Sequence, residues 1–557
     1  MKKWSYTKED DSLISKLSKD LNVSEDIAHL LIKREIFDFN SAKDFFRPNL
    51  KNTHSPFLMK DMDLAVDRII QAKNTNENVL VYGDYDVDGV TSVSMMCLFL
   101  SSQQINYQFY CPDRYEEGYG VSKRGIDFAL ENSVDLIITL DCGIRDVENI
   151  AYAKSMGIDV IICDHHNPGK SNPNADAILN PKQKECNYPF KDLCGCGVGF
   201  KLILAYYQKN KLDLSKAYEY LDFVAVANLA DIVPIIGENR IYTFHGILKL
   251  NENPSIGLFS LLKRLSKTKD ISSSEVLFGI APMINAAGRI SHAGDAVKLL
   301  IEKELEQAEK YAETLFLLNN ERKKIQNEIF EEALKQIDYN SYTTVVASSN
   351  WHKGVIGIVA SKLIEKHYRP TIVFSESNGK MTGSARSISN FNIYEIISKC
   401  EDLCENFGGH KYAAGITIKK ENYESFKNRF ELLVSGNIDP ELLKNKINID
   451  LNLDLNCLDD KFYRIVKQFS PFGPGNPEPI FCSYDLKLKY PPRLVGESQT
   501  HVQFTIETNN RIIKGIGFNS ASQLKELNGD RINLCYSLSE NFWNNKRELQ
   551  LIIKDFY

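Results

Sequence analysis

Seven residues, Gly83-Asp84-Tyr85-Asp86-Val87-Asp88-Gly89, set three carboxylates at alternate positions. Carboxylates packed this closely repel one another unless cations neutralise them, so the stretch reads as a place that holds divalent metal. A solvated acidic turn is the plainer alternative. A calcium loop is another, because D-x-D-x-D-G opens an EF-hand. That loop needs a bidentate Glu at its twelfth position, and counting from Asp84 that position is Met95. An EF-hand is also entered from a helix, whereas Val79-Leu80-Val81-Tyr82 is an apolar run of strand type. The calcium reading fails.

Further metal-ligating groups follow at strand or helix ends. Asp141 ends Leu136–Leu140, Asp164-His165-His166 follow Val160–Cys163, and Asp231 closes an apolar helix just before Pro234. The C-terminal ends of strands in an open parallel sheet face one crevice, so these groups can converge although distant in sequence. A single buried His is ordinarily a satisfied core residue, and Asp231 alone reads equally well as a helix-end residue. Oxygen-rich ligation with one or two imidazoles suits Mn²⁺ or Mg²⁺ better than zinc. A shared carboxylate such as Asp141 can hold two ions about 4 Å apart, the geometry that activates water and steadies an in-line phosphoryl displacement.

The elements that must position these groups alternate. Strand Val79–Tyr82, helix Thr91–Ser101, strand Asp135–Leu140, helix Val147–Met156 and strand Asp159–Cys163 predict a parallel, doubly wound sheet. Residues 1–60 read as short helices packing on this first domain. The helical, charge-rich stretch from Asp295 to about Ile337 predicts one or two long helices linking two domains. A second α/β pattern follows: strand Thr344–Ala347, helix Val355–Lys366, strand Thr371–Ser375 and helix Asn392–Asn406. From about Ile449 alternating short strands with Gly/Asn turns predict a small barrel of the oligonucleotide-binding kind. The expected division is 1–300 with its N-terminal helical extension, a connecting helix over 301–340, a second α/β domain over 341–440, and a barrel over 441–557.

Composition excludes several classes. The chain has 557 residues, 43% hydrophobic and 25% charged, with a formal net charge of −6. That balance argues against a blanket basic coat for nucleic acid. The first residues carry no apolar core for a signal peptide, and the apolar candidate Phe223–Ile236 is broken by Asn228, Asp231 and Pro234. Twelve scattered cysteines form no paired C-x-x-C knuckle, which suits reduced thiols in a cytoplasm.

The four acidic and His motifs resemble those of the DHH phosphoesterases. Gly408-Gly409-His410-Lys411-Tyr412-Ala413-Ala414-Gly415 looks like the GGH-x-x-A-A-G signature of the domain associated with them. Further stretches resemble the single-strand-specific 5′→3′ exonuclease branch of that superfamily. They are Pro112–Gly120, Asn285-Ala286-Ala287-Gly288-Arg289-Ile290, Trp351–Ile358, Gly383-Ser384-Ala385-Arg386-Ser387 and Ser470–Pro479. The resemblance spans roughly 45–557, with Val87 and Cys196 standing where Ala is expected. Longer members carry a further C-terminal domain, so contacts made there are not carried over.

By this resemblance the fold is a DHH parallel-sheet domain, a long helix, a DHH-associated α/β domain and an OB-like barrel. Asp84, Asp86, Asp88, Asp141, His165 and Asp231 would be the metal set for two Mn²⁺ or Mg²⁺ ions. Asp141, His165 and His166 would be catalytic, with His166 orienting the scissile phosphate. Arg114, Arg289, Ser384 and Arg386 would hold the 5′-terminal phosphate, since guanidinium forks bind phosphate oxygens bidentately. Arg289 is expected on an open turn, and Ser384 and Arg386 on a small-residue loop. Gly409 and His410 would meet DNA by close backbone approach; the alternative there is a tight helix C-cap. Among the barrel aromatics Phe504, Phe518, Tyr536 and Trp543, most must be core and a minority free to stack bases.

The implied activity is release of 5′-mononucleotides from single-stranded DNA in repair and recombination. The implied partners are single-strand-binding protein and a helicase, with no membrane and a monomeric chain. A phosphodiesterase acting on cyclic dinucleotides or oligoribonucleotides is the nearer alternative, and a non-catalytic replication scaffold the farther one.

Overall fold

The computed structural model describes residues 2–509, 511–527, 529–543 and 546–557. The chain opens with β1 (Lys3–Tyr6) and helices Asp11–Leu21, Glu25–Ile32 and Phe39–Phe46. Asp10, Ser24 and Asp38 cap these helices through their side chains, satisfying N–H groups that have no partner within the helix. Their apolar faces, Ile14, Leu17, Leu30 and Leu31 among them, share one core with Leu453, Phe469, Phe504 and Tyr536 of the C-terminal region. The expectation that residues 1–60 pack on the first domain is therefore corrected for the three helices, whereas Leu50, Phe57 and Met59 do join the first domain's core. An amphipathic pattern declares a buried face but not its partner.

The first domain is built on a five-stranded sheet: β2 (Asn78–Gly83), β3 (Asn106–Tyr110), β4 (Leu136–Leu140), β5 (Asp159–Cys163) and β6 (Ala177–Leu179). The order is β3-β2-β4-β5-β6 and every pairing is parallel. The three expected strands are its centre. The two edge strands escaped because Asn106-Tyr-Gln-Phe-Tyr is half-exposed and polar, and Ala177–Leu179 is only three residues long. Helices Val87–Ser102, Gly195–Lys209 and Leu221–Ala230 cover one face, and Lys123–Glu131 and Val147–Ser155 the other.

The helix Leu305–Leu334 joins the two α/β domains. Ala308, Ala312 and Leu315 belong to the first core, while Ile329 and Ala333 belong to a core of the second domain.

That second sheet comprises β7 (Thr344–Ser348), β8 (Thr371–Ser377), β9 (Lys380–Arg386), β10 (Cys404–His410) and β11 (Ala413–Lys419). Its order is β10-β11-β9-β8-β7, parallel only between β7 and β8. The helix expected over Asn392–Asn406 ends at Ser398, and the chain continues as edge strand β10. Ser384 and Arg386 lie on β9, where a loop was expected. The small residues Gly383, Ser384 and Ala385 look like a turn in sequence, yet β8 and β11 pair with them on both sides.

The C-terminal region adds β12 (Lys446–Ile449), β13 (Leu451–Asn452), β14 (Phe481–Val495), β15 (His501–Glu507), β16 (Ile512–Gly517), β17 (Arg531–Trp543) and β18 (Lys546–Phe556). The β14-β15-β16-β18-β17 array closes on itself because β14 also pairs with β17, giving a five-stranded barrel. The strands are longer than expected, and register shifts in β14 give the bends that closure needs. β1 pairs in parallel with β12. Phe504 and Tyr536 are core, whereas Phe518 is 57% exposed. The Trp543 side chain lies outside the described residues.

The Ser470–Pro479 stretch fastens the barrel to the first domain. Arg240 of helix Gly237–Glu252 donates to the carbonyls of Phe45, Phe469, Ser470 and Pro471 and lies over the Phe45 ring, 3.8 Å from its centre. Ile235 N–H donates to Pro474 O at 2.6 Å, four residues beyond Asp231.

Candidate active site

Each acidic motif sits where a strand or helix ends. Asp84 follows β2, and Asp86 caps the next helix by accepting Gly89 N–H at 3.1 Å. Asp88, inside that helix's first turn, accepts the N–H groups of Gly195 at 2.6 Å and Cys196 at 2.8 Å. Asp141 follows β4 with φ 61°, a left-handed conformation that turns its side chain into the crevice. Asp231 ends helix Leu221–Ala230, and the next residue, Ile232, also has positive φ at 60°. A β-branched residue there is a strained one, and such strain concentrates at functional sites.

The structure brings all six expected metal ligands together. Three groups have ligand atoms within 4.8 Å of one another: Asp84, Asp86 and Asp141; Asp88, His165 and Asp231; and Asp141, His165 and His166. His165 Nε2 lies 3.1 Å from Asp141 Oδ1 and 3.6 Å from Asp231 Oδ2. Asp84 Oδ1, Asp141 Oδ1 and His165 Nε2 are buried without a hydrogen-bond partner, which leaves them free to ligate a cation. Burial and the neighbouring carboxylates push Asp84, Asp88, Asp141 and Asp231 well above the ordinary carboxylate range. Burial pushes His165 down to about 3, so its imidazole is neutral and able to ligate. The donor set of five carboxylates and one imidazole fits two Mn²⁺ or Mg²⁺ ions.

Asp164 plays a different part. Its carboxylate accepts the N–H groups of Ile144, His165 and His166 and meets His166 Nδ1 at 2.8 Å. Although burial opposes ionisation, these bonds draw Asp164 down to about 2 and raise His166 above the ordinary imidazole value. The Tyr119 hydroxyl donates to Asp141 O at 2.9 Å and touches His166 Nδ1 at the same distance. Sequence reasoning grouped Asp164 with the metal-ligating residues and did not single out Tyr119 or the Gly195 N-terminus, because the parts these three take are hydrogen bonds set by the fold. Tyr119 was detectable only as part of Pro112–Gly120.

The expected phosphate residues converge from both α/β domains. Arg114 lies over the ring of Tyr85, 4.4 Å from its centre, with Nη1 buried and without a hydrogen-bond partner. Arg289 stands in the last turn of helix Ala281–Ile290, not on an open turn, and donates to Gly354 O at 2.9 Å. Arg386 donates to Ser384 Oγ at 3.0 Å and to Ala385 O at 2.8 Å. A Cβ on Gly357 would come within 2.9 Å of Ser384 Oγ and 3.0 Å of Arg386 Nη2, so glycine there lets the guanidinium lie against the helix Ile356–Lys366. Burial first, and the Arg114 charge second, lower Arg289 to about 10 and also lower Arg386. Among the described residues none of these arginines has a carboxylate partner. Half-buried guanidiniums that repel one another with no carboxylate between them could accept an anion from outside.

Gly409 and His410 end strand β10, which excludes the helix C-cap reading. Across the sheet Arg386 faces Ala413 and Ala413 faces His410, while Ser384 faces Gly415 and Gly415 faces Gly408. Directly opposed residues share a face, so this part of the GGH motif lies in register with the phosphate residues. His410 itself is exposed.

Three regions match known domain families: residues 78–227 the DHH family N-terminal domain, 340–436 the DHHA1 domain and 449–555 the RecJ OB domain. The chain is 37% identical over 561 residues to the single-stranded-DNA-specific exonuclease RecJ of Bacillus subtilis, covering 99% of this chain and 70% of that one. It is 32% identical to the protein of the same name from Salmonella typhimurium, covering 90% of each. The crystal structure of RecJ in complex with Mn²⁺ from Thermus thermophilus superposes with a TM-score of 0.87 at 26% identity, covering 100% of this chain and 79% of that one.

Proposed function

This chain belongs to the RecJ family of single-stranded-DNA-specific exonucleases, and on that premise we propose that it is a two-metal 5′→3′ exodeoxyribonuclease releasing 5′-mononucleotides. One observation carries the reading: a buried acidic cluster and a carboxylate-free arginine pocket meet through Tyr85, whose neighbours Asp84 and Asp86 serve the first while its ring carries Arg114 of the second. A strand end bearing a 5′-phosphate would be held at the pocket with its first internucleotide linkage at the cluster. That arrangement sets the polarity, and each cut leaves a new 5′-phosphate.

Asp84, Asp86, Asp88, Asp141, His165 and Asp231 would hold two Mn²⁺ or Mg²⁺ ions, which supply water activation and neutralise charge in the in-line displacement. His166, held by Asp164 and steered by Tyr119, would donate to a non-bridging oxygen of the scissile phosphate. Arg114, Arg289, Arg386 and Ser384 would fix the terminal phosphate from two domains at once, so that end recognition also holds the cleft closed. Gly409 and His410 would line the strand's approach. The barrel, with Phe518 exposed, would track the strand beyond the cleft.

We place the enzyme in the bacterial cytoplasm as a monomer, acting on ends opened by a helicase and covered by single-strand-binding protein. No described helix is long and apolar enough to cross a membrane. We also propose the four-part division given above, with the N-terminal helices reassigned to the barrel's core. Cyclic dinucleotides and a non-catalytic scaffold are not favoured: the barrel serves no dinucleotide, and no metal ligand is missing. The test is end-labelled single-stranded DNA, blunt duplex and cyclic dinucleotide, each with Mn²⁺ or Mg²⁺. Mononucleotides should appear from the 5′ end of the single strand alone; cleavage of the cyclic dinucleotide at a comparable rate would sink the reading.

A further inference from the structure

A cavity of about 230 Å³ lies between Arg289 of the arginine pocket and Ala230, the residue that precedes Asp231 of the acidic cluster. Asn285, one turn before Arg289, also lines it, with Leu277, with Ile358 next to Gly357, and with Arg322 from the middle of the long helix. Neither Arg322 nor Asn285 has a part in the reading so far.

We propose that this cavity receives the base of the 5′-terminal nucleotide, the one about to be released. The proposal rests on the polarity argued above. A nucleotide whose 5′-phosphate sits on Arg114, Arg289 and Arg386, and whose 3′ linkage lies at the carboxylates, must place its base beside both. The cavity is walled by Arg289 of the arginine pocket and by Ala230, the chain neighbour of Asp231 in the cluster. Its volume falls below the about 300–1,000 Å³ of pockets that enclose a drug-sized ligand, and suits one planar ring system.

The lining chemistry suits a base better than a phosphate. Leu277 and Ile358 offer apolar surface to a ring face. Arg322 is 8% exposed, with Nη1 on Gln326 Oε1 at 2.7 Å and Nη2 on Asn319 Oδ1 at 2.6 Å. Two neutral amides fix the guanidinium plane while leaving donors and charge uncompensated, ready for ring nitrogens and carbonyls. Asn285 Oδ1 is buried without a partner, an acceptor waiting for a donor. Val276–Ile280, which carries Leu277, is wound as a π-helix, a form found chiefly at functional sites. Every base offers a ring face and edge acceptors, so the cavity separates base from no base more than one base from another.

The test uses 5′-phosphorylated single strands whose terminal nucleotide either keeps its base or carries tetrahydrofuran in its place. Initial rates of first-nucleotide release with Mn²⁺ are measured for wild type, Arg322→Met and Asn285→Ala. Wild type should favour the base-bearing end about tenfold or more, and both variants should bring that ratio towards one. Equal wild-type rates on the two ends would overturn the proposal, as would an unchanged ratio in both variants. Should Arg322→Met fail to fold, the wild-type comparison and Asn285→Ala, at a half-buried position, still decide. Release from neither 5′ end by wild type would remove the polarity, and the proposal with it; release from both at equal rates leaves the polarity standing and removes only the base site.

Discussion

The Asp88 carboxylate sits on the N-terminus of the helix Gly195–Lys209, accepting the Gly195 N–H at 2.6 Å. The positive end of that helix steadies one carboxylate of a cluster that otherwise repels itself. Gly195 also stands against Asp141: a Cβ there would lie 2.5 Å from Asp141 Cβ. One backbone position thus sets the spacing of two of the proposed metal ligands.

Gly195→Ala should therefore damage the metal site without removing a ligand. Metal affinity should fall about 10–100-fold, as when other supports of metal ligands are lost. Titrating activity against Mn²⁺ checks this. An unchanged half-saturation point would show that the helix can shift without consequence.

Asp141→Asn removes one charge from a buried group of like charges. Without divalent metal the variant should melt at or above the wild-type temperature, since repulsion is relieved. Its activity should be lost and its Mn²⁺-induced rise in melting temperature should shrink. Thermal melts in EDTA and in Mn²⁺, with single-strand hydrolysis alongside, give all three readings. Retention of more than about a tenth of the wild-type rate would refute the shared-ligand role.

Arg386→Ala should cut activity on 5′-phosphorylated ends strongly and on 5′-hydroxyl ends weakly. One charge-assisted contact is worth about 1.5–3 kcal/mol, enough to erase most of a tenfold preference. The quantity to compare is the ratio of initial rates on the two end types, wild type against variant. If it does not move, the terminal phosphate is bound elsewhere.

Arg240→Ala leaves carbonyls from both the N-terminal extension and the Ser470–Pro479 loop without their shared donor. Stability should fall by about 2–3 kcal/mol, read from urea unfolding of the full chain. A loss under about 1 kcal/mol would mean that water replaces the guanidinium at no cost.

Truncation after Ile449 should not yield a folded nuclease lacking only its grip on long strands. It would expose Ile14, Leu17, Leu30 and Leu31, which share the barrel's core. Residues 1–449 should aggregate, whereas 47–449 should stay soluble. Light scattering separates the two; a soluble, monomeric 1–449 would contradict the shared core.

The sequence by itself determined the central strands and the long helix, and it picked out the residues proposed as metal ligands. Apolar β-branched runs can only be buried, and carboxylates repeated at strand ends have few uses but cation binding. Asp84, Asp86 and Asp88 stand out by their spacing alone, whereas His165 and Asp231 joined the proposed set only through the motifs' resemblance to a known family. Edge strands were invisible because β3 and β10 are half-solvated, and residues such as Asn106 or Gly408 satisfy water as readily as a sheet.

Only the tertiary structure decided which surfaces meet. The N-terminal helices could have covered any apolar face, and the barrel won because β1 pairs with β12 and brings them there. Gly383-Ser384-Ala385 has the composition of a turn, yet two neighbouring strands claimed its backbone groups. Asp164, Tyr119 and Gly195 are placed by hydrogen bonds and close approach, and Asn285 and Arg322 by their position in a cavity. Those are relations between residues far apart in the chain, and composition and spacing do not encode distance in space.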